Sequence, residues 1–374
     1  MSNILLSFLM SMILTVPGTD INGFAFRLFG KISATTPQED VFVSPFSAAT
    51  ALSLLNEGAA GETASEIDRL LGMDFNLSLS DEIRRADPST TFESANSLWI
   101  GKGISAKCCY VKKAKKEYGA EVSKADFGSQ TGVDSINDWC SRKTHGKIEK
   151  ILDSAEPSTR MMLINALYFN GEWEFSEFPV LRDEDFRAIE GLDVRKTMMY
   201  KTDEFMYSED DMFRMVEIPY GNKSFSMYVL LPKDESPEGF SNAASQISAE
   251  RWNNLLSKME RVRVRLAIPK FKMEYSIELN DILSELGMKK AFTPSAEFPG
   301  ISRTPLMVSY VKQKTYLDVN ERGTEAAAVT AIAMKMTSVG PGNDPIEFIA
   351  NRPFLFSIRE AGTGAVLFIG QKVK

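Results

Sequence analysis

The segment of residues 321–345, ERGTEAAAVTAIAMKMTSVGPGNDP, constrains the fold of this chain more than any other. It follows a period-two stretch in which Val311, Gln313, Thr315, Leu317 and Val319 alternate with Lys312, Lys314, Tyr316, Asp318 and Asn320, the pattern of a strand with one buried face. Its own first half holds the small residues Ala326, Ala327 and Ala328 and the β-branched Thr324, Val329, Thr330 and Ile332. Its second half is closed by the turn formers Gly340, Pro341, Gly342, Asn343 and Pro345. Thr324, Ala326, Ala328, Thr330, Ile332, Met334 and Met336 are uncharged and share one parity, whereas Glu325 and Lys335 share the other. One face of the segment can therefore be buried in a sheet. Three readings fit this composition: an ordinary exposed strand, an alanine-rich helical turn, or a segment that is a loop in one state and a strand in another.

The rest of the chain supplies the body around that segment. With 44% hydrophobic residues among 374, it can bury a large core and has no disorder signature. Ile21, Phe24, Leu28 and Ile32 recur at helical spacing after Asp20, a capping residue, and residues 47–55 continue the helical pattern. Thr63 with Glu66 reads as a capping box for a helix that carries Ile67, Leu70 and Leu71 on one side. Later, Arg261, Arg263 and Arg265 alternate with Val262, Val264 and Leu266, while residues 227–231 and 365–369 are apolar throughout, as strands covered on both sides are. Helices first, strands later and no internal repeat predict an α+β protein.

Several chemistries are disfavoured. The net charge of -7 gives no overall attraction to a phosphate backbone, so no nucleic-acid partner is expected. Cys108, Cys109 and Cys140 do not form a disulfide framework or a CxxC site, and they read as partly buried free thiols. With His145 the only histidine, no metal site or cofactor is implied, and any hydrolase machinery would have to use that one residue beside Gly146. Lys107, Lys112, Lys113, Lys115, Lys116 and Lys124 form a basic stretch that reads as a solvated helix face rather than a glycosaminoglycan site. The apolar run of residues 4–16 is too short to span a bilayer and suits a secretory signal cut near Thr19, although no Lys or Arg precedes Arg27 to make the usual positive start. An extracellular location is favoured, with an intracellular protein keeping this N-terminus as the alternative. Asn76 and Asn222 lie in N-x-S/T sequons that would accept glycans on export.

The chain resembles the serpins. Glu321, Gly323, Thr324, Glu325, Ala326, Ala327 and Ala328 match the proximal hinge of inhibitory members. The likeness also runs through VFVSPFSAATALSLLNEGAAGET (residues 41–63), SANSLWI (94–100), INDWCSRKTHGKIEKIL (136–152), LINALYFNGEW (163–173), VEIPYGNKSFSMYVLLP (216–232), RVRLAIPKFKMEYSIELNDILSELGM (263–288) and NRPFLFSIREAGTGAVLFIG (351–370). Only residues 1–18 fall outside it, as a signal or an apolar extension, which leaves residues 19–374 as one serpin domain.

The resemblance implies three β-sheets, eight or nine helices and an exposed reactive-centre loop over about residues 321–345. It implies a suicide substrate for a serine protease: the protease attacks one bond in the loop, and the loop inserts into the large sheet before the acyl-enzyme hydrolyses. The family's usual spacing from Glu321 puts that bond between Thr337 and Ser338, with bonds after Met336 or Lys335 as alternatives. Thr337 or Met336 would suit an elastase-like or chymotrypsin-like enzyme, and Lys335 a trypsin-like one. By motif, Ser44, Ser47 and Asn165 match the polar cluster under the sheet, Gln313 stands where the family usually has histidine, and Trp173 matches the tryptophan below the hinge. The short stretch of residues 72–94 implies a reduced helix where heparin-activated members bind their cofactor. A monomer with no cofactor and no membrane contact is expected, and the runner-up is a non-inhibitory serpin with a chaperone, carrier or storage role.

Overall fold

A computed structural model describes residues 21–72, 78–324 and 344–374. The helices, in chain order, are α1 (Ile21–Thr35), α2 (Pro45–Asn56), α3 (Gly61–Leu71), α4 (Ser78–Arg85), α5 (Cys108–Glu117), α6 (Gln130–Lys143), α7 (Pro237–Gln246), α8 (Ala249–Ser257) and α9 (Asn280–Glu285). The strands are β1 (Val41–Val43), β2 (Thr91–Gly101), β3 (Glu121–Ala125), β4 (Met161–Glu172), β5 (Val180–Arg187), β6 (Asp193–Glu209), β7 (Phe213–Tyr220) and β8 (Phe225–Pro232). They continue as β9 (Glu260–Pro269), β10 (Phe271–Glu278), β11 (Tyr310–Asn320), β12 (Gly323–Thr324), β13 (Ile346–Ile349), β14 (Phe354–Glu360) and β15 (Val366–Lys372). This is the expected α+β class, with nine α-helices among the described residues.

The strands form two hydrogen-bonded ladders. One, of six strands, runs β10-β11-β12-β4-β2-β3; the other runs β1-β15-β14-β8-β7-β6-β9-β13, with β5 paired to β6. The three expected sheets are all present, because β6 belongs to two lobes of the second ladder. Its first half pairs with β5 and its last residues with β7, while β9 lines its other edge. Helix α2, buried along almost its whole length, lies between the six-stranded sheet and β15. Phe42, Phe46, Phe92, Phe169, Phe356 and Phe368 join the two sheets in one core. On the opposite face of the six-stranded sheet, α6 packs Ile136, Trp139 and Cys140 against Ile164, Ala166 and Tyr316.

Strand β11 buries Val311, Gln313, Thr315, Leu317 and Val319, as their alternation predicts, and β8 and β15 are buried throughout. The capping box at Thr63 and Glu66 is not formed. Helix α3 starts at Gly61, so Thr63 is already inside its first turn and fully buried, where its Oγ1 accepts from Glu297 N at 3.0 Å. Glu66 accepts instead from Lys289 N at 2.7 Å and Lys290 N at 2.6 Å. Both side chains cap a distant loop rather than their own helix. The apolar N-terminal run, Asp20 and Asn76 lie outside the described residues, and among those described no helix is long and apolar enough to cross a membrane.

Candidate functional site

The site is a fork in the six-stranded sheet. Strands β4 and β11 pair in parallel from Met162 and Tyr310 to Tyr168 and Tyr316, and then separate. The two-residue strand β12 fills the mouth of the fork. It pairs antiparallel with β11 (Val319 with Thr324, Asn320 with Gly323) and with β4 (Glu172 with Gly323, Gly171 with Thr324). Between the mouth and the crotch, Leu317 and Asp318 of β11 and Phe169 and Asn170 of β4 have no strand partner across the seam among the described residues.

Glycine is required at the mouth. A Cβ on Gly323 would lie 2.1 Å from the Gly171 carbonyl oxygen, closer than any side chain can approach. The turn before it is tied down on every side. Trp173 N donates to Arg322 O at 2.7 Å, Phe178 N donates to Glu321 O at 2.7 Å, and the Trp173 indole N–H donates to Asn320 O at 3.0 Å. Glu321 forms an ion pair with Lys270. Burial pushes the Glu321 carboxyl up, but the Lys270 ammonium together with its backbone hydrogen bond outweighs that effect and holds it below the ordinary carboxylate range. Trp173 stacks on Tyr220 with centroids 4.5 Å apart, and the Tyr220 hydroxyl meets Thr324 Oγ1 at 2.7 Å. Both Tyr220 and Thr324 are fully buried.

At the other end of the seam, Ser44, Ser47, Asn165 and Gln313 come together. Ser44 caps α2, its hydroxyl accepting from Ser47 N and donating to Leu367 O at 2.6 Å, so the SPF sequence fixes the helix start beneath the sheet. Gln313 accepts from Ser44 N at 2.8 Å and donates to Ser44 O at 2.9 Å and Asn165 Oδ1 at 2.6 Å. Asn165 in turn donates to Ser47 Oγ and to Asn96 Oδ1, the latter at 2.5 Å, and Ser47 Oγ bonds Ser94 Oγ. The network ties β4 to β11 across the ladder, since Asn165 and Gln313 are register partners. Two donors and one acceptor are used at position 313, which a glutamine amide supplies and a neutral imidazole cannot.

The sequence reading did not name Ser94, Asn96, Lys270 or Tyr220. Ser94 and Asn96 had a signal, because they share one parity in β2 and are polar where a buried face was due. Glu325, Ala326, Ala327, Ala328, Lys335, Met336, Thr337 and Ser338 lie outside the described residues.

The other candidates sit elsewhere. His145 follows α6 in a left-handed conformation and pairs with Glu93 at 3.1 Å, with no serine or cysteine on its ring nitrogens among the described residues. Cys108 and Cys109 are exposed and Cys140 is buried, rather than all being partly buried; burial pushes the Cys140 thiol up to about 12. Lys112, Lys115 and Lys116 project from α5 into solvent, while Lys113 pairs with Glu57. In the Asn222 sequon, the amide nitrogen that would carry a glycan donates to Ala86 O at 3.1 Å.

The family model described as Serpin (serine protease inhibitor) matches residues 19–374. The chain belongs to the serpin family. Among curated relatives, it is 35% identical to an uncharacterised serpin-like protein of Thermococcus kodakarensis over 94% of this chain and 84% of that protein. It is also 32% identical to the leukocyte elastase inhibitor of Bos taurus, over 93% of this chain and 96% of that protein. Among solved serpins, the thermophilic tengpin in its native state superposes with a TM-score of 0.86 at 28% identity, covering 95% of this chain and 93% of that one. Thyroxine-binding globulin in complex with thyroxine superposes at 0.85 and 25% identity, covering 95% and 98%. The fold and family are thus shared with a protein named for inhibiting leukocyte elastase and with one named for binding thyroxine.

Proposed function

We infer that this serpin is an inhibitor that traps a serine protease as an acyl-enzyme by drawing the cleaved loop into the fork between β4 and β11. The observation that carries this reading is the docked strand β12, which occupies the first rungs of the seam; beyond it, Leu317 and Asp318 of β11 and Phe169 and Asn170 of β4 have no strand partner across the seam among the described residues. Continuing its register would set Ala326 between Leu317 and Phe169, and Thr330 between Gln313 and Asn165. Residues of the uncharged parity would then face the core with Thr324, and Glu325 and Lys335 would face away. Small side chains at Ala326, Ala327 and Ala328 suit a segment that must enter a closing seam quickly. A bulky or charged residue there would slow entry and let the ester hydrolyse.

An inserted strand adds hydrogen bonds on two ladders, each worth roughly 0.5 to 1.5 kcal/mol net, and would bury Ile332 and Met334 for roughly 1.5 to 3 kcal/mol each. The sum, on the order of 10 to 30 kcal/mol, matches or exceeds the usual stability of a protease domain, which lies at about 5 to 15 kcal/mol. Residues 19–374 act as one domain in this reading, as an extracellular monomer. The bond after Thr337, Met336 or Lys335 selects an elastase-, chymotrypsin- or trypsin-like target.

The test is to mix the protein with trypsin, chymotrypsin and pancreatic elastase and run a denaturing gel. A stable band of summed mass supports trapping, and mass spectrometry of the released C-terminal peptide identifies the bond. Cleavage with full retention of protease activity in all three mixtures would overturn the inhibitory reading in favour of a carrier, chaperone or storage role.

A further inference from the structure

We propose that Tyr220 is a register pin for the reactive loop: its buried hydroxyl holds Thr324 in the fork and fixes which face of the following segment turns inward. The inference rests on the inhibitory reading for its consequence, but not for its geometry.

Tyr220 does not belong to the sheet that the hinge enters. It ends β7 in the nine-stranded ladder, and its side chain reaches to Thr324 in the six-stranded one. The ring is held on two sides, stacked on Trp173 at 4.5 Å and edge-on to Phe169 at 5.1 Å. Its edge also packs where Gly171 leaves room, since a Cβ there would lie 3.2 Å from Tyr220 Cδ1. A ring clamped in this way cannot swing its hydroxyl to another partner. Among the described residues Thr324 Oγ1 is the partner it has, and it is the side-chain hydrogen bond of β12.

Two consequences follow. Withdrawal of Thr324 from the fork would leave the Tyr220 hydroxyl buried without a partner, so the bond opposes withdrawal. Slippage of the hinge by one residue would present Glu325 to Tyr220 and turn the entire apolar parity outward. A hydroxyl pair 2.7 Å apart penalises both errors before cleavage, and insertion then starts from a rung already in register. Trp173 supports the ring, and the backbone of β12 supplies the ladder bonds. The hydroxyl supplies the choice of residue.

Tyr220→Phe removes the oxygen and keeps the ring, and Thr324→Val keeps the shape of its partner. Hydrogen exchange of the intact protein reads the hinge directly. Loss of one buried neutral hydrogen bond shifts an opening equilibrium by about 2- to 12-fold, so the amides of Gly323 and Thr324 should exchange faster by that factor in either variant. The double variant should exchange no faster than the single ones, and amides in β14 should be unchanged. With a protease that the wild type traps, Tyr220→Phe should divert more turnovers to simple cleavage.

Unchanged exchange at Gly323 and Thr324 in Tyr220→Phe would overturn the proposal. So would equal acceleration in β14, which would make Tyr220 a packing residue only. Should the wild type trap no protease at all, the inhibitory reading fails while the exchange data still decide whether the pin exists.

Discussion

Replacing Gln313 with leucine tests whether the two strands that must part are held together by the polar network. The side chain makes three hydrogen bonds, to Ser44 N, Ser44 O and Asn165 Oδ1. Leucine fills similar space and makes none. Ser44 O keeps its bond from Ala48 N at 3.1 Å, so two groups are orphaned: the Ser44 N–H and the Asn165 carbonyl oxygen. At about 1 to 3 kcal/mol for each buried orphan, Gln313→Leu should lose about 2 to 6 kcal/mol. That is a large part of an ordinary folding free energy of about 5 to 15 kcal/mol. Urea unfolding at neutral pH, followed by tryptophan fluorescence and far-UV circular dichroism, measures the loss as a lower midpoint at constant slope.

Gln313→His should fall between the two, because a neutral imidazole offers one donor and one acceptor. It should also gain a pH step that the parent lacks at this position. An imidazole that accepts from Ser44 N resists protonation, so its folded pKa would lie below the free value of about 6.5. Its contribution is then present above that value and lost as the pH falls through it. A Gln313→Leu protein within about 0.5 kcal/mol of wild type would refute the reasoning. So would a step in the wild-type midpoint between about pH 5.5 and 7.5 that vanished in Gln313→Ala.

Other expectations follow from the same geometry. Gly323→Ala puts a methyl 2.1 Å from the Gly171 carbonyl, so β12 must leave the fork; denaturing gels should show cleavage in place of a trapped complex, and undiminished trapping would count against a docked hinge. Because the folded pKa of Glu321 is depressed, its pairing with Lys270 stabilises at neutral pH and is lost as the pH falls through and below the carboxylate value of 4.5. The pair is about one-third exposed, so Glu321→Gln should cost less than about 1 kcal/mol at pH 7 and progressively less as the pH is lowered below 4.5; a cost that did not shrink with acid would remove the ion pair as its cause. With Cys140 pushed up to about 12 by burial and Cys108 and Cys109 exposed, a thiol reagent at pH 8 should titrate two groups rapidly in the folded protein and the third only on unfolding. Three fast equivalents would contradict the burial of Cys140.

Much of this was legible in the sequence where a single element carries the information. The alternation from Val311 to Val319 sets the buried face of β11 without help from any other strand, whereas helix α2, read from residue 47, starts two residues earlier because Ser44 caps it and Pro45 preorganises its first turn. What escaped depends on residues far apart in the chain. Tyr220 meets Thr324 across 104 positions, and nothing in the YGNKS turn after β7 announces that partner. Lys270 sits at the bend between β9 and β10, where a lone lysine reads as solvated until Glu321 is placed beside it. Thr63 and Glu66 misled for the opposite reason: a local capping signal was present, but tertiary packing gave both side chains to the loop around Lys289 and Glu297. Strand β6 hid its double membership because its burial follows two lobes in turn, leaving no sustained period of two.

The central claim is that the intact fold holds back free energy that strand insertion releases. It is tested most directly by nicking the protein within residues 325–343 and comparing its thermal unfolding with that of the intact chain. A gain on the order of 10 kcal/mol or more, set against an unfolding entropy of about 2.1 cal/mol/K for each residue, predicts a rise in Tm of roughly 13 °C or greater. Equal melting temperatures before and after the cut would mean that the rungs between Phe169 and Leu317 gain no strand on cleavage, and trapping by insertion would be contradicted.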